Sequence, residues 1–422
     1  MISNKLVAID FGSSRISAMA AEVLENGALR ILSEESKTSD DVKWGIVDKP
    51  SGASFKVSEL LKLLRNSSKL PDISQVSVPV GAKSMKQTSV SISRFVPKPN
   101  IITEELLTKM LEECEKKAQQ PDTTVFETIL VSYFVDSKRM DEPVGHKATQ
   151  ITANYHVISG NLIIKSELER CFDRTGIVLE YNPLTVESLS TVVLEEQERK
   201  VGCALINFGA TTTTLAVYHD DILQNLLVIP LGAKNITRDI QELGIGETHA
   251  ERLKCLKGSA LEHLIEEPIY VQIPSVDDPA TPVKISTQFL ATIIEARLEE
   301  ILQPAFDIIS RLSFSLDAGI VITGGGSKLN GMLEFVTEKT GIYTRFGNHS
   351  EWLSDDTAER FNDPVYAQLI GTLLLTHEYR KDHPVEVTIN EAEKKTKLPK
   401  RKPWDKLADG FIKFFDDDNK MN

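Results

Sequence analysis

A four-residue pattern occurs twice in this chain, and it constrains the fold more than any other feature. Ile9-Asp10-Phe11-Gly12 and Ile206-Asn207-Phe208-Gly209 stand 197 positions apart. In both places an apolar run precedes the pattern, and small residues and a second apolar run follow it. Self-similarity at this distance indicates two related halves rather than a short-period solenoid. Coincidence over four residues is the alternative, and the matching context on both sides argues against it.

Each copy of the pattern predicts a meander of three strands. In the first copy, Leu6 to Ile9 is followed by a strand from about Ile16 to Leu24, and Asn26-Gly27 is a strong hairpin signal before a third strand. The second copy predicts strands at 204–206, 215–218 and 222–231. We therefore expect an α/β fold with two similar halves.

Size and charge narrow the class of protein. A chain of 422 residues is expected to form two to four domains. Its 48 basic and 61 acidic residues leave a net charge of −13, which argues against nucleic acid as the main partner. The four cysteines form no C-x-x-C pair, so a disulfide framework or zinc site is not expected.

Two further segments separate and follow the repeats. Residues 84–159 have a β-α-β-β pattern of the size of a small inserted domain, with Thr103 as the N-cap of its helix. Residues 235–311 are rich in helix, interrupted by a proline-rich loop from Pro268 to Pro282 and ending in a long helix from Ile285 to Leu312. From about residue 377 the sequence becomes polar, which predicts a disordered linker.

Three glycine-containing turns each follow an apolar strand, at 10–14, 207–212 and 324–327. Glycine lets backbone N–H groups approach a phosphate closely, and neighbouring serine or threonine hydroxyls add donors. One such turn is more often only a hairpin. Three of them, two in repeat register, favour a nucleotide cleft between the halves.

These residues resemble the motifs of the actin-like ATPases. Residues 7–14 are similar to the first phosphate motif, 206–212 to the second and 322–327 to the adenosine motif. Residues 250–254, with Gly258 after them, are similar to the stretch that holds the ribose, and 363–371 to the second connecting motif. The resemblance implies two RNase H-like halves around a nucleotide cleft that binds ATP and Mg²⁺.

Within that superfamily the chain resembles the bacterial FtsA family of cell-division proteins. Similar stretches include Glu127 to Asp136, Tyr155 to Ile158 and Glu295 to Arg297, and both the insertion and the tail match in place and size. The implied organisation is a first half (subdomain 1A) at 1–83 and 160–195, an inserted subdomain (1C) at 84–159, a second half (2A) at 196–234 and 312–376, subdomain 2B at 235–311, a linker at 377–403 and an amphipathic helix at 404–416.

The resemblance assigns roles to individual residues. Asp10 would position Mg²⁺ or its water, and Glu251 and Lys254 would contact the ribose. The remaining cofactor-binding candidates line the three turns: Gly12, Ser13, Ser14, Gly209, Ala210, Thr211, Thr212, Gly324, Gly325, Gly326 and Ser327. Without the resemblance, Glu251 and Lys254 have another interpretation, a surface ion pair between residues three apart on a helix.

Two residues depart from the superfamily pattern. Asn207 stands where the second phosphate motif has a catalytic aspartate, and Ala210 stands where glycine is usual. An amide is neutral, coordinates magnesium weakly and is no general base. We therefore expect nucleotide binding to persist while hydrolysis is slow or absent, so that the chain is at most a weak ATPase.

The C-terminal residues predict a membrane-binding helix. Trp404, Leu407, Phe411, Ile412 and Phe415 share one helical face, which Phe414 widens. The segment 391–403 before it has six basic and two acidic residues, which favours anionic lipid. Acidic residues outnumber basic ones within 404–422, and docking on the protein's own body or on a partner groove is the alternative.

The function implied by the resemblance is a filament-forming tether. It would bind the C-terminal tail of the tubulin-like division protein FtsZ through 235–311, bind further copies of itself, and help to recruit later division proteins. It would act on the cytoplasmic face of the bacterial inner membrane, at the division site. A small-molecule kinase, an Hsp70-like chaperone and a pilus-assembly scaffold are the alternatives within the superfamily.

Overall fold

The two halves predicted from the repeat are two five-stranded sheets with the same topology. The first sheet contains β1 (Lys5–Phe11), β2 (Arg15–Val23), β3 (Leu29–Thr38), β6 (Gln75–Ser77) and β11 (Val178–Tyr181). The second contains β12 (Cys203–Phe208), β13 (Thr213–His219), β14 (Ile222–Ile229), β17 (Ile320–Thr323) and β18 (Thr344–Phe346). In order across the sheet they run β3-β2-β1-β6-β11 and β14-β13-β12-β17-β18, with an antiparallel meander and then two parallel strands.

The computed structural model describes residues 4–70, 73–97, 101–173, 175–276 and 281–383. They form two units, one from residues 1–84 and 163–384 and the other from residues 85–162. Both sheets belong to the first unit. The actin-like α/β fold expected from the sequence is confirmed.

The glycine turn after each first strand has the same geometry in both halves. A Cβ on Gly12 would lie 2.8 Å from the Arg15 carbonyl oxygen, and one on Gly209 would lie 2.8 Å from that of Thr212. In the second turn the Gly209 amide donates to the Thr212 carbonyl at 2.9 Å. A larger residue at either glycine would push the turn open, so both copies of the repeat contain the same glycine-dependent turn.

Helices and two short hairpins complete the first unit. The helices are α1 (Pro50–Ser68), α3 (Ile163–Phe172), α4 (Thr185–Val193), α5 (Glu196–Val201), α6 (Ala233–Gln241), α7 (Glu247–Lys257), α8 (Thr287–Ser310), α9 (Met332–Thr340) and α10 (Ala367–Asp382). The hairpins are β4 (Val42–Lys43) with β5 (Ile46–Val47) and β15 (Tyr270–Ile273) with β16 (Val283–Ser286).

The segment between β14 and β17 differs from the prediction in three details. The long helix begins at Thr287 rather than Ile285, because the Ser286 hydroxyl accepts from the Phe289 amide at 3.0 Å and caps it. The proline-rich segment contains β15, which pairs with β16 immediately after Pro282, and it is therefore not wholly a loop. The predicted boundary between 234 and 235 falls inside α6.

The last helix corrects the predicted domain limits. The sequence predicts that residues 367–376 belong to the second half and residues 377–403 to a linker. In the structure α10 is continuous through Asp382 and packs on α4 and β1 of the first half. Gly371 lies against the Ser188 carbonyl, and Arg380 forms an ion pair with the buried Glu180 carboxylate. These contacts stabilise the helix where the sequence alone suggests only polarity.

The inserted unit is a four-stranded antiparallel sheet with one helix. It contains β7 (Lys86–Phe95), α2 (Glu104–Ala118), β8 (Thr123–Val135), β9 (Lys138–Met140) and β10 (Gln150–Asn161), in sheet order β7-β10-β8-β9. The Thr103 hydroxyl caps α2 by accepting from the Leu106 amide at 3.3 Å, as predicted. Met110 and Cys114 of α2 pack with Tyr155 and Val157 of β10 in a core of this unit's own. The short strand β9 was not predicted.

The predicted amphipathic helix at 404–416 and the linker from 384 onward lie outside the described residues. Within the described ranges, every helix is too short or too polar to cross a bilayer.

Replacing Gly371 with alanine tests the packing of α10. The added Cβ would lie 1.7 Å from the Ser188 carbonyl oxygen, so α10 and α4 must separate. We expect Gly371→Ala to lower the free energy of unfolding by about 2 kcal/mol or more in denaturant titrations. The exposed Glu378 of the same helix is a matched control, and Glu378→Ala should change it by about 0.5 kcal/mol or less. Equal stabilities for Gly371→Ala and the unmodified chain would contradict this account.

Candidate functional site

The first and second glycine turns meet at a direct contact between hydroxyl groups. They lie at the carboxyl ends of the central strands β1 and β12. The Thr211 Oγ1 donates to Ser13 Oγ at 2.7 Å, although the two residues are 198 positions apart. Two of the predicted phosphate donors, one from each half, are therefore brought together.

The third turn is placed beside the second by strand register. Strands β12 and β17 are parallel, with Asn207 opposite Thr323, so Gly324 follows next to Phe208. Gly324 has φ +87°, and a Cβ there would lie 2.4 Å from Asn207 Oδ1. Glycine is required at this position because the backbone conformation and the close approach both exclude a side chain. The buried Ser327 hydroxyl donates to the Gly324 carbonyl at 2.7 Å and stabilises the turn.

The remaining candidates of the three turns are placed as follows. Ser14 is exposed, and its carbonyl accepts from the Ser39 amide at 3.0 Å. Ala210 and Thr212 are half-buried, and the Ala210 carbonyl accepts from the Lys234 amide at 2.8 Å. Gly325 is exposed and Gly326 packs on the Phe208 ring. Their predicted contacts with a nucleotide stay predictions.

Asp10 is the acidic group of the first turn. Its carboxylate is half-buried, and Oδ1 accepts a hydrogen bond from Gln368 Nε2 at 2.9 Å. Loss of solvation raises the pKa of Asp10 from 3.8 to about 6, although the charge of Arg15 opposes this. Burial therefore favours the neutral form, and a cation close to this carboxylate would favour the charged form.

Asn207 occupies the equivalent place in the second half. Asp10 pairs with Ser17 across β1 and β2, and Asn207 pairs with Thr214 across β12 and β13, at the same point of the meander. The two strand ends thus present one carboxylate and one neutral amide. Among the described residues, no group of three or more acidic, histidine or cysteine side chains could hold a metal ion. A Mg²⁺ ion here would take most of its ligands from phosphate and water.

Glu251 and Lys254 form an ion pair on α7, with Lys254 Nζ 2.7 Å from Glu251 Oε2. Lys254 is only 6% exposed, so the pair is not a simple surface pair. Its ammonium group also donates to the Ala233 carbonyl at 3.1 Å and to Thr237 Oγ1 at 2.9 Å. Three acceptors match its three hydrogens. Partial burial acts to raise the pKa of Glu251. Hydrogen bonds from Lys254 and Thr237 outweigh this effect and hold the pKa of Glu251 below its ordinary value. The ribose contact of the pair stays a prediction.

Sequence reasoning missed three residues that contact these turns. Gln368 binds Asp10, the Lys234 ammonium donates to the Ser13 carbonyl at 2.8 Å, and the Trp44 amide donates to Thr211 Oγ1 at 3.2 Å. Trp44 has φ +53° at the tip of the β4–β5 hairpin, an uncommon conformation for a bulky residue. Lys83 Nζ lies 3.5 Å from the Trp44 ring centroid, which is cation–π distance. Gln368 lies within 363–371, the stretch similar to the second connecting motif, although no role was predicted for it. Sequence distance hid Lys234 and Trp44, and the positive φ of Trp44 had no signal in the sequence.

Two sheets of identical topology, with glycine turns converging between them, define an actin-like fold. Solved structures agree. A PilM-PilN type IV pilus biogenesis complex matches with a TM-score of 0.62 and 13% identity, covering 88% of this chain and 98% of that chain. MreB5 of Spiroplasma citri bound to ADP matches with a TM-score of 0.56 and 12% identity, covering 90% and 98%.

Sequence comparisons are more specific. The family model for cell division protein FtsA matches residues 204–371, and the model for the SHS2 domain inserted in FtsA matches 83–159. Cell division protein FtsA of Borreliella burgdorferi is 26% identical over 410 residues, covering 96% of this chain and 98% of that protein. FtsA of Pseudomonas aeruginosa is 25% identical over 384 residues, covering 89% and 90%. The chain belongs to the FtsA family.

The raised pKa of Asp10 makes a prediction about stability and pH. Below pH 3.8 the Asp10 carboxyl group is neutral in both the folded and the unfolded chain. Folding disfavours the charged form, so the free energy of unfolding falls as the pH rises from 3.8 to about 6. We expect Asp10→Asn to stabilise the chain without nucleotide or metal, by about 1 kcal/mol more at pH 8 than at pH 5. Denaturant titrations at the two pH values measure this difference.

The control for this experiment is Asp356→Asn. A hydrogen bond from Ser354 is the largest cause holding the pKa of the exposed Asp356 below its ordinary value, so this variant should show no gain at either pH. A gain from Asp10→Asn that is the same at pH 5 and pH 8 would contradict the pKa assignment.

Proposed function

We propose that this chain is an ATP-binding, filament-forming protein of bacterial cell division that tethers FtsZ to the cytoplasmic membrane. The contact between Ser13 and Thr211 is the main observation that supports nucleotide binding, because it brings the two predicted phosphate turns together. Membership of the FtsA family supports the role in division. The similar MreB5 structures are bound to ADP and to AMPPNP, which supports nucleotide binding as the proposed function of this fold.

The residues of the cleft suit binding better than hydrolysis. Glycine turns bring backbone N–H groups to a phosphate without steric cost, and the Ser13 hydroxyl, which accepts from Thr211 and keeps its own hydrogen, adds a donor. Mg²⁺ would bind the phosphates and be oriented by Asp10 through water. The neutral Asn207 cannot accept a proton from an attacking water. ATP would therefore be a structural ligand that is hydrolysed slowly.

Membership of the family also supports a proposal for assembly and partners. A nucleotide held between the halves would fix the filament-forming conformation of the first unit. We assign the FtsZ tail to residues 235–311, and self-assembly and later division proteins to the inserted unit. The apolar face at 404–415 would place the protein on the inner membrane at the division site. A single helix binds a membrane weakly, so a filament that aligns many copies gains avidity.

Restoring the missing carboxylate tests the hydrolysis argument. Asn207→Asp places an acidic group at the strand end equivalent to Asp10, where it can orient metal-bound water. We expect phosphate release from ATP with Mg²⁺ to rise by about tenfold or more, because general-base assistance contributes at least this much. Asn207→Ala removes the amide without adding a charge and should leave the rate low. Unchanged phosphate release in a folded Asn207→Asp variant would refute slow hydrolysis through the lost aspartate.

Co-sedimentation with anionic liposomes tests the membrane tether. The full chain should pellet with the liposomes, and a chain ending at residue 403 should stay in the supernatant, because it lacks the apolar face. Phe411→Glu in the full chain places a charge in that face and should reduce pelleting about as far. Asp409→Asn on the polar side is the matched control and should pellet at least as well as the unmodified chain. Equal pelleting of the full and shortened chains would rule out the tail as the anchor.

A further inference from the structure

Lys234 is a half-buried lysine with no acidic partner among the described residues. It is the second residue of α6, and its ammonium group donates to the Ser13 carbonyl, 2.8 Å from Nζ. An ammonium group has three hydrogens, so two donors are left for other acceptors. Partial burial of a charge without a counter-ion is unfavourable, which indicates that an anion from outside the chain completes the site.

The neighbouring Lys254 shows how the same fold treats a structural lysine. Its ammonium group has a carboxylate partner in Glu251 and two further oxygen acceptors, from Thr237 and Ala233. Lys254 is therefore neutralised internally. Lys234 lies one residue after Ala233 and has no comparable set of acceptors among the described residues. We therefore expect the two lysines to have different roles.

Lys234 is attached to both phosphate turns. Its side chain binds the Ser13 carbonyl of the first turn, and its backbone amide binds the Ala210 carbonyl of the second at 2.8 Å. Gly232 makes this approach possible, because a Cβ there would lie 2.6 Å from the Gly209 carbonyl oxygen. The ammonium group is thus held where a phosphate chain between the turns would pass.

The acidic groups of the cleft are few. Asn207 has replaced one metal-orienting aspartate, and Asp10 alone remains on the strand ends. A divalent ion would therefore be held less firmly by protein, whereas a lysine supplies positive charge without a metal. Lys83, stacked on Trp44 beside Thr211, adds a second positive charge near the second turn.

We propose that Lys234 binds the phosphate chain of the nucleotide directly and supplies charge that makes nucleotide binding only weakly dependent on divalent metal. This inference rests on the proposed nucleotide site and adds a residue and a metal requirement to it. A permanent lysine charge would let the site keep its ligand when Mg²⁺ is scarce, which suits a nucleotide that stabilises structure.

The test is equilibrium binding of ATP to the full chain by calorimetry, with Mg²⁺ and with EDTA. The unmodified chain should lose no more than about tenfold in affinity on metal removal. Lys234→Gln should bind at least about tenfold more weakly than the unmodified chain in EDTA, the loss expected for one charge-assisted contact, and should be restored in part by Mg²⁺. Lys234→Arg keeps the charge and should bind in EDTA.

Lys200→Gln is the matched control, since Lys200 pairs with Glu196 on the surface of α5, and it should bind like the unmodified chain. If Lys234→Gln does not fold, the metal dependence of ATP binding by the unmodified chain still tests the proposal. Complete loss of its binding in EDTA would overturn the proposal, as would equal affinities of Lys234→Gln and the unmodified chain in EDTA. Absence of ATP binding even with Mg²⁺ would instead reject the nucleotide site itself.

Discussion

The hydrogen bond between Thr211 and Ser13 is the contact on which the arrangement of the cleft depends. It joins the ends of β1 and β12, the two central strands, and so sets the distance between their glycine turns. Each turn can adopt its tight conformation because Gly12 or Gly209 leaves room for the carbonyl group three residues later. A ligand that binds one turn is therefore within reach of the other.

The repeat conserves backbone geometry but not charge. The turns after β1 and β12 have the same close approach, and the strands beside them have the same pairing. The group at the equivalent strand end is nevertheless a carboxylate in one half and an amide in the other. Glycine and strand register set the geometry of the turns, whereas reactivity depends on a single functional group. Nucleotide binding and nucleotide hydrolysis can therefore change independently.

Much of the fold could be predicted because its signals are local. The strands of both meanders, the Asn26-Gly27 hairpin and the Thr103 cap each depend on neighbouring residues. The end of α10 could not be predicted, because contacts with residues nearly 200 positions away stabilise it. The same is true of the site: the turns follow a sequence pattern, but Lys234 and Gln368 reach them only through the tertiary fold.

The residues found only in the structure change the chemistry expected of the cleft. Sequence motifs alone describe a phosphate site that has lost one carboxylate, and such a site would be weakened for both metal and nucleotide. Lys234 adds a cation to the point where both turns meet, and Gln368 holds Asp10 through a neutral hydrogen bond. With a nucleotide bound as proposed, these two residues would favour direct contact between protein and phosphate over a metal-centred arrangement. Under the proposed function, this arrangement would favour retention of the nucleotide over its hydrolysis, as expected of a nucleotide that holds the two halves in one conformation.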